Sequence, residues 1–256
     1  MEALSLTGLA LALGMVVIAI ALSVWQKLGL EINLAIATGR AVMQLLVLGY
    51  LLDIVFALKN SWIVLGTLAV LLTLAAIVTR NRISKKVPFL LPLVWGSLFV
   101  STALTLGYTY LLVLQTPTWY EPQYLIPLAG VILANAMNAA AIAGERLTTT
   151  VNSSHLEIET HLSLGATPQQ AIAQYRREAI KAGLVPTLNA MMIVGMVTLP
   201  DLVTGQLLGG ASPLNAIGYQ ILILLMLAFA TLTTTLLLTQ GLCQQFFNRA
   251  AQLALR

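Results

Sequence analysis

Two charged residues stand inside otherwise apolar stretches of this 256-residue chain, and each could do chemistry. Arg40 lies about eight residues into the stretch Ile32 to Leu52, with Thr38 beside it and Gln44 one helical turn on. A guanidinium in hydrocarbon costs from about 2.5 kcal/mol upward, so it needs a reason to be there. At about 12 Å from the start of a helix it can also partly reach the interface. It either pairs with carbonyls or an acid and holds a bundle in shape, or it lines a cavity. Asp201 follows Pro200, and Gly205, Gly209 and Gly210 come within the next ten residues. Proline removes a helical donor, so the chain should break there and continue from Asp201 to Leu208 as a short bent or re-entrant piece. Broken helices at membrane depth are where ion sites are often built. Asp201 is accordingly the leading candidate for a cation contact, as a hard oxygen ligand for a divalent ion. The competing role is a cap on the helical turn that follows.

Softer candidates flank these two. Asn135 and Asn138 are three apart on one face of an alanine-rich stretch, where buried amides can bond across a close helix contact, and Met137 lies between them. Asn189, Met192 and Met196 have one-face helical spacing, with Met191 adjacent. Methionine there is either gap filler or a soft-metal stripe. The two histidines, His155 and His161, are six apart and fall on different helix faces, so they receive no metal role. The single cysteine, Cys243, excludes a disulfide framework and reads as a small apolar filler. No G-x-x-x-x-G-K-[ST], G-x-S-x-G or H-E-x-x-H occurs, and there is no nucleophile-and-base set, so the chain is not read as an enzyme.

The elements that must position these residues follow from composition. Apolar residues make up 59% of the chain and charged ones 9%, against about 25% charged in ordinary soluble domains. Mean hydropathy is +0.90. Lipid must therefore be the solvent, and the expected fold is all-α, a polytopic membrane helix bundle. Uncharged runs long enough to cross suggest about seven spans: Leu4 to Val24, Ile32 to Leu52, Ser61 to Thr79, Phe89 to Leu112, Tyr124 to Ala143, Leu184 to about Leu199, and Asn215 to Gln240. The first lacks a basic n-region, with Glu2 near its start and no Lys or Arg before Lys27, and is expected to stay in the mature protein.

Charge sets the expected orientation. The net charge is +4, yet 13 basic residues make no face for nucleic acid. Eleven of them fall on one side: Lys27; Arg80, Arg82, Lys85 and Lys86; Arg146, Arg176, Arg177 and Lys181; Arg249 and Arg256. Lys59 stands alone opposite, with Glu2, Asp53 and Glu121. By the positive-inside rule the N-terminus faces out and the C-terminus in. Trp62, Tyr108, Tyr110, Trp119, Tyr120 and Tyr124 read as interface anchors on the outer side. The chain reads as one membrane domain over 1–256.

One cytoplasmic connection, about 144–183, is too long for a plain loop. Its first piece, about His155 to Leu164, carries Ile158 and Leu162 four apart and stops at Gly165, suited to a left-handed cap. Its second opens with Thr167-Pro168-Gln169-Gln170, a capping box with proline in the first turn, and shows Ile172, Tyr175 and Ala179 on one face, with Arg176, Arg177 and Lys181 pointing elsewhere. Two short amphipathic helices need a partner: either anionic lipid or a soluble subunit.

The stretch Glu159-Thr160-His161-Leu162-Ser163-Leu164-Gly165-Ala166-Thr167 resembles the coupling segment of ABC transporter permeases, which sits in a groove of the ATPase subunit. More narrowly, the chain resembles the FetB-like permeases, the bacterial iron-export permeases whose plant relatives are the aluminium-tolerance membrane subunits. The matching pieces are Arg40 with Gln44-Leu45; Asn135-Ala136-Met137-Asn138; Leu162 to Thr167; Pro186, Asn189, Met191 and Gly195; and Thr204-Gly205-Gln206 with Gly209, Pro213, Ala216, Tyr219 and Gln220. Where that family usually reads Leu-Pro-Gly-Met-Met-Thr-Gly-Gln, this chain has Leu199-Pro200-Asp201-Leu202-Val203-Thr204-Gly205-Gln206. An acid replaces glycine and two aliphatics replace thioethers.

The resemblance implies a permease subunit of an ATP-driven transporter in the plasma (inner) membrane, exporting iron or another metal ion. It implies ATPase coupling through Glu159, Leu162, Leu164, Gly165, Ala166 and Thr167. A metal path would touch Asp201, Met137, Met192 and Met196, and Arg40, Gln44, Asn135, Asn138, Asn189 and Gln206 would be its polar or structural lining. No cofactor is expected in this chain; ATP would be used by a separate ATP-binding subunit, and a second permease copy would complete the channel. Two other expectations stand beside this one: the same machine with a nucleotide sugar or organic anion, and a secondary transporter or channel with no ATPase.

Overall fold

The computed structural model describes residues 6–58, 60–84, 87, 89–115, 121–248 and 252–253. Lys59, Lys85, Lys86, Trp119, Tyr120, Arg249, Arg256 and Glu2 lie outside the described residues. The chain divides into two compact units, Met1–Asn60 and Ser61–Arg256. The described residues form helices joined by short turns and irregular segments, with two isolated bridges and no strand among them.

The first unit is a helix pair, α1 (Leu6–Trp25) and α2 (Glu31–Leu58). Both are predominantly apolar, which suits helices whose backbone must satisfy itself in lipid. Their short connection begins with a Schellman turn: Leu28 N–H donates to Ser23 O and Lys27 N–H to Val24 O, with Lys27 in the left-handed region at φ 54°. The Ser23 hydroxyl donates to Glu31 Oε1 at 3.3 Å, tying the end of one helix to the start of the next.

The second unit contains α3 (Ser61–Ile83), α4 (Leu90–Tyr108), α5 (Pro122–Ser153), α6 (His155–Ser163), α7 (Pro168–Ile193), α8 (Asp201–Leu208) and α9 (Pro213–Gln245). α4 continues as a wider π-helical stretch, Thr109–Leu114. α5 is the centre, packed by α3, α7 and α9. Its buried face is largely alanine, at Ala129, Ala136, Ala139, Ala140 and Ala143, and small side chains let helix backbones approach closely. α9 answers with Thr231, Thr234, Thr235 and Thr239, all fully buried. Thr231, Thr235 and Thr239 return their hydroxyls to carbonyls one turn back, at Leu227, Thr231 and Thr235, while Thr234 bonds to Ser101 on α4. A hydroxyl in an apolar contact must find an acceptor, and in this seam three find it one turn back and the fourth across the helix contact.

Among the described residues, five helices are long and apolar enough to cross a membrane: α2, α3, α4 with its π-helical end, α5 and α9; α1 supplies a shorter apolar stretch, Leu11–Trp25. The expected sixth span, Leu184 to Leu199, does not form as a separate helix. α7 runs unbroken from Pro168 to Ile193, so the second piece of the 144–183 segment and the start of that span are one rod. The rod ends six residues before Leu199, in a tight turn where Gly195 adopts φ 77° and its N–H donates to Thr198 O. Nothing in 168–193 forces a break, because Gly183 is buried in a helix crossing and Pro186 is accommodated within the helix. α3 and α5 likewise run past the expected span ends, to Ile83 and Ser153. Tyr110, expected among the interface anchors, lines a cavity of about 480 Å3 beside the stacked Trp95 and Phe99 rings, and its hydroxyl is buried.

Candidate functional site

The strongest local design is the tip between α6 and α7. α6 buries Ile158 completely and packs Leu162 against the core, leaving Leu156 and Leu164 outside. It closes in a Schellman turn on Gly165, at φ 91°, with Ala166 N–H donating to His161 O and Gly165 N–H to Leu162 O. Glycine takes this conformation without the penalty a Cβ would bring. Two residues later the next helix is fixed by the complete capping box: Thr167 N–H donates to Gln170 Oε1 at 2.9 Å and Gln170 N–H to Thr167 Oγ1 at 3.3 Å. Pro168 occupies the first turn. The connection is thus defined at both ends, each by a sequence-encoded cap.

The tip is also braced sideways. Tyr175 on α7 reaches Ser154 and Glu157 at the start of α6, and its phenol is pushed above the ordinary value, first by burial and then by the Glu157 carboxylate. α5 carries this assembly beyond the end of α3: Ile83 packs at Gly144, and nine more residues of α5 follow, about 14 Å of helix. What the tip presents is Leu164, 80% exposed, with Glu159, Gly165 and Thr167 also exposed around it. Leu162 and Ala166 are half-buried. The six coupling candidates therefore separate into an anchor, Leu162, and a presented surface centred on Leu164.

The polar candidates are more dispersed. Asp201 is the first residue of α8 and is exposed; Pro200, not Asp201, is the capping residue. Gln206 on α8 and Gln220 on α9, helices that pack together, each hold a buried side-chain oxygen with no hydrogen-bond partner among the described residues. Met192 remains on α7 with Asn189, but Met196 lies in the turn beyond Ile193, so the expected three-residue stripe is broken. Both methionines are highly exposed, at 73% and 84%. Met137 instead packs against the core. Among the described residues no three His, Cys, Asp or Glu side chains gather as a metal site.

Of the asparagine pair, Asn138 makes a bond across helices, accepting from Arg82 Nη1 on α3 at 3.0 Å, whereas Asn135 donates to Val131 O on its own helix. Arg40 and Gln44 are exposed on α2, and no acid or carbonyl of the described residues in their unit pairs with Arg40. Arg176, expected to point away from the packed face, turns onto α9: its Nε donates to Thr239 Oγ1 at 3.3 Å and its Nη2 to Leu236 O and Gln240 Oε1. The threonine spacing on α9, at 231, 234, 235 and 239, is the one signal in the sequence for this seam.

Comparison with known proteins places these features in a family. The sequence model described as "Uncharacterised protein family (UPF0014)" matches residues 6–247. "UPF0014 membrane protein slr1647" of Synechocystis sp. is 51% identical over 241 residues, covering 94% of this chain and 93% of its own. "Probable iron export permease protein FetB" of Escherichia coli is 34% identical over 247 residues, covering 96% and 93%. "Protein ALUMINUM SENSITIVE 3" of Arabidopsis thaliana is 34% identical over 245 residues, covering 95% and 88%. No solved structure matches. With nearly its whole length matched, the chain belongs to the UPF0014 family of multi-pass membrane proteins.

Proposed function

We propose that this chain is the plasma-membrane permease subunit of an ATP-driven ABC transporter that exports iron or another metal ion. The observation that carries the reading is the tip at Leu164, an exposed apolar side chain held on a turn capped at both ends. A rigid apolar knob raised beyond the membrane helices suits a groove in a soluble ATPase. In this reading ATP binding closes a pair of ATPases, the tips move with them, and the helices rock to expose the path outward. The chain itself hydrolyses nothing. The printed name of the Escherichia coli relative supports the substrate class.

A second permease copy belongs to the same reading. With Gly183 near the inner interface, as the basic residues before it imply, Ile193 lies ten residues deeper, about 15 Å into a core about 30 Å thick. The turn after it, with Met196 and Val197 84% and 82% exposed, then falls at membrane depth. Irregular backbone there is tolerated only against protein or water, and a second copy meeting at this turn supplies both a cover and a path. Asp201 and the unpartnered oxygens of Gln206 and Gln220 are oxygen ligands of the hard type that suit a divalent ion.

The test is reconstitution in liposomes with the candidate ATP-binding subunit, adding ferrous, manganous, zinc and aluminium ions singly. The expected result is a stable complex whose ATP hydrolysis and ion efflux rise with ferrous ion. Failure to bind the subunit overturns the ABC reading; stimulation by an organic anion alone overturns the metal.

A further inference from the structure

A cleft of about 570 Å3 opens between α7 and the last turns of α9. Its wall is mixed: Arg176, Arg177, Gln240 and Gln244 line it together with the apolar Ile172 and Phe247 toward the end of α9, and Ile180 and Leu236 line it one turn deeper on the two helices. No aspartate or glutamate is in its wall. Arg176 is held by Thr239 Oγ1, Leu236 O and Gln240 Oε1, all neutral acceptors, so its orientation is fixed and none of these partners neutralises its charge. Arg177 beside it is exposed. α9 is one of the helices long and apolar enough to cross a membrane, and glutamines crowd its end at 240, 244 and 245, as suits a helix leaving hydrocarbon for the headgroup layer.

We infer that this cleft binds an anionic phospholipid, its phosphate on Arg176 and Arg177 and its first acyl carbons along Ile180 and Leu236. Arginine presents a fixed fork of donors that matches phosphate oxygens, and a pair of them in a wall that holds no carboxylate, with Glu178 turned to Gln174 outside it, selects a net negative headgroup over a zwitterionic one. The cleft has room for a headgroup and the start of a chain, the rest of which remains in the bilayer. The inference depends on α9 crossing a membrane and not on what the protein transports.

The full-length protein in neutral detergent is titrated with dioleoylphosphatidylglycerol, dioleoylphosphatidylcholine and glycerol 1-phosphate, and bound adducts are counted by native mass spectrometry. The expected result is phosphatidylglycerol binding about tenfold tighter than phosphatidylcholine, with about tenfold lost in Arg177→Gln, most of it kept in Arg177→Lys, and none lost in Arg146→Gln on the exposed side of α5. Arg177 makes no hydrogen bond among the described residues, so its replacement does not disturb the helix contact that Arg176 supports. Equal binding of the two lipids, an unchanged Arg177→Gln, or glycerol 1-phosphate binding as tightly as the lipid overturns the inference.

Discussion

Gly183 lies so close to Ala139 that a Cβ on the glycine would stand 2.7 Å from the Ala139 carbonyl oxygen, with Ala143 and Thr235 at 3.0 and 3.1 Å. Three helices, α5, α7 and α9, meet at this point. Because the nearest atom is backbone, no rotamer change relieves the clash. Gly183→Ala should therefore push α7 off α5 and lower stability by about 1–3 kcal/mol, the usual cost of overpacking. Thermal unfolding of the detergent-solubilised protein measures it. Gly205→Ala on α8 meets open space and should change the midpoint little; equal effects of the two would dismiss the close crossing.

The capping box makes its own prediction. Thr167→Ala removes the acceptor for Gln170 N–H and should cost about 1 kcal/mol of local helix stability. Gly165→Ala places a Cβ at φ 91° and should cost about 1–2 kcal/mol at the other end of the tip. Neither residue touches the core, so both losses should show as faster hydrogen exchange confined to about 156–172, with the remaining amides unchanged.

Leu164 and Leu162 should respond differently to the same replacement. Leu164→Asp alters an exposed side chain and should leave folding intact while, on the proposed function, abolishing co-purification of the proposed ATPase subunit. Leu162→Asp puts a carboxylate against the core cluster and should lower stability as well. If Leu164→Asp still binds the ATPase as wild type does, the tip is not the docking element.

The tip was legible in the sequence because caps are local: Gly165 and the Thr167 to Gln170 pattern act through bonds spanning three to five residues. Span ends were less legible. Hydropathy reports where a helix leaves lipid, and α3, α5 and α7 continue as helices past that point because the packing of Ile83, Leu147 and Ile172 rewards it. The continuity of α7 hid for the same reason: a basic first half and an apolar second half look like two elements but carry no break between them. Long-range polar pairs were the least visible. Arg82 with Asn138, 56 residues apart, and Arg176 with Thr239, 63 apart, depend on which helices meet, and one chain's periodicity does not contain that. Asn135 and Asn138 look equivalent by spacing, yet only Asn138 faces α3.

Asp201 and the methionines can be separated by their ligand chemistry. A carboxylate and two amide oxygens favour hard divalent ions, whereas thioethers favour soft ones. The break in the rod at Ile193 leaves Met196 off the face shared by Asn189 and Met192, so a methionine stripe has lost its geometry while the oxygen groups of α8 and α9 remain adjacent helices' neighbours. Asp201→Asn should then make cells retain more iron under iron overload, with Gln206→Leu acting in the same direction. Met192→Leu and Met196→Leu should leave iron content within about twofold of wild type, since a change of shape-similar apolar side chains is tolerated. Intracellular iron measured by elemental analysis in cells expressing each variant at matched levels decides the matter. Retention in the methionine variants with a normal Asp201→Asn would move the path from the α8 oxygens to the end of α7.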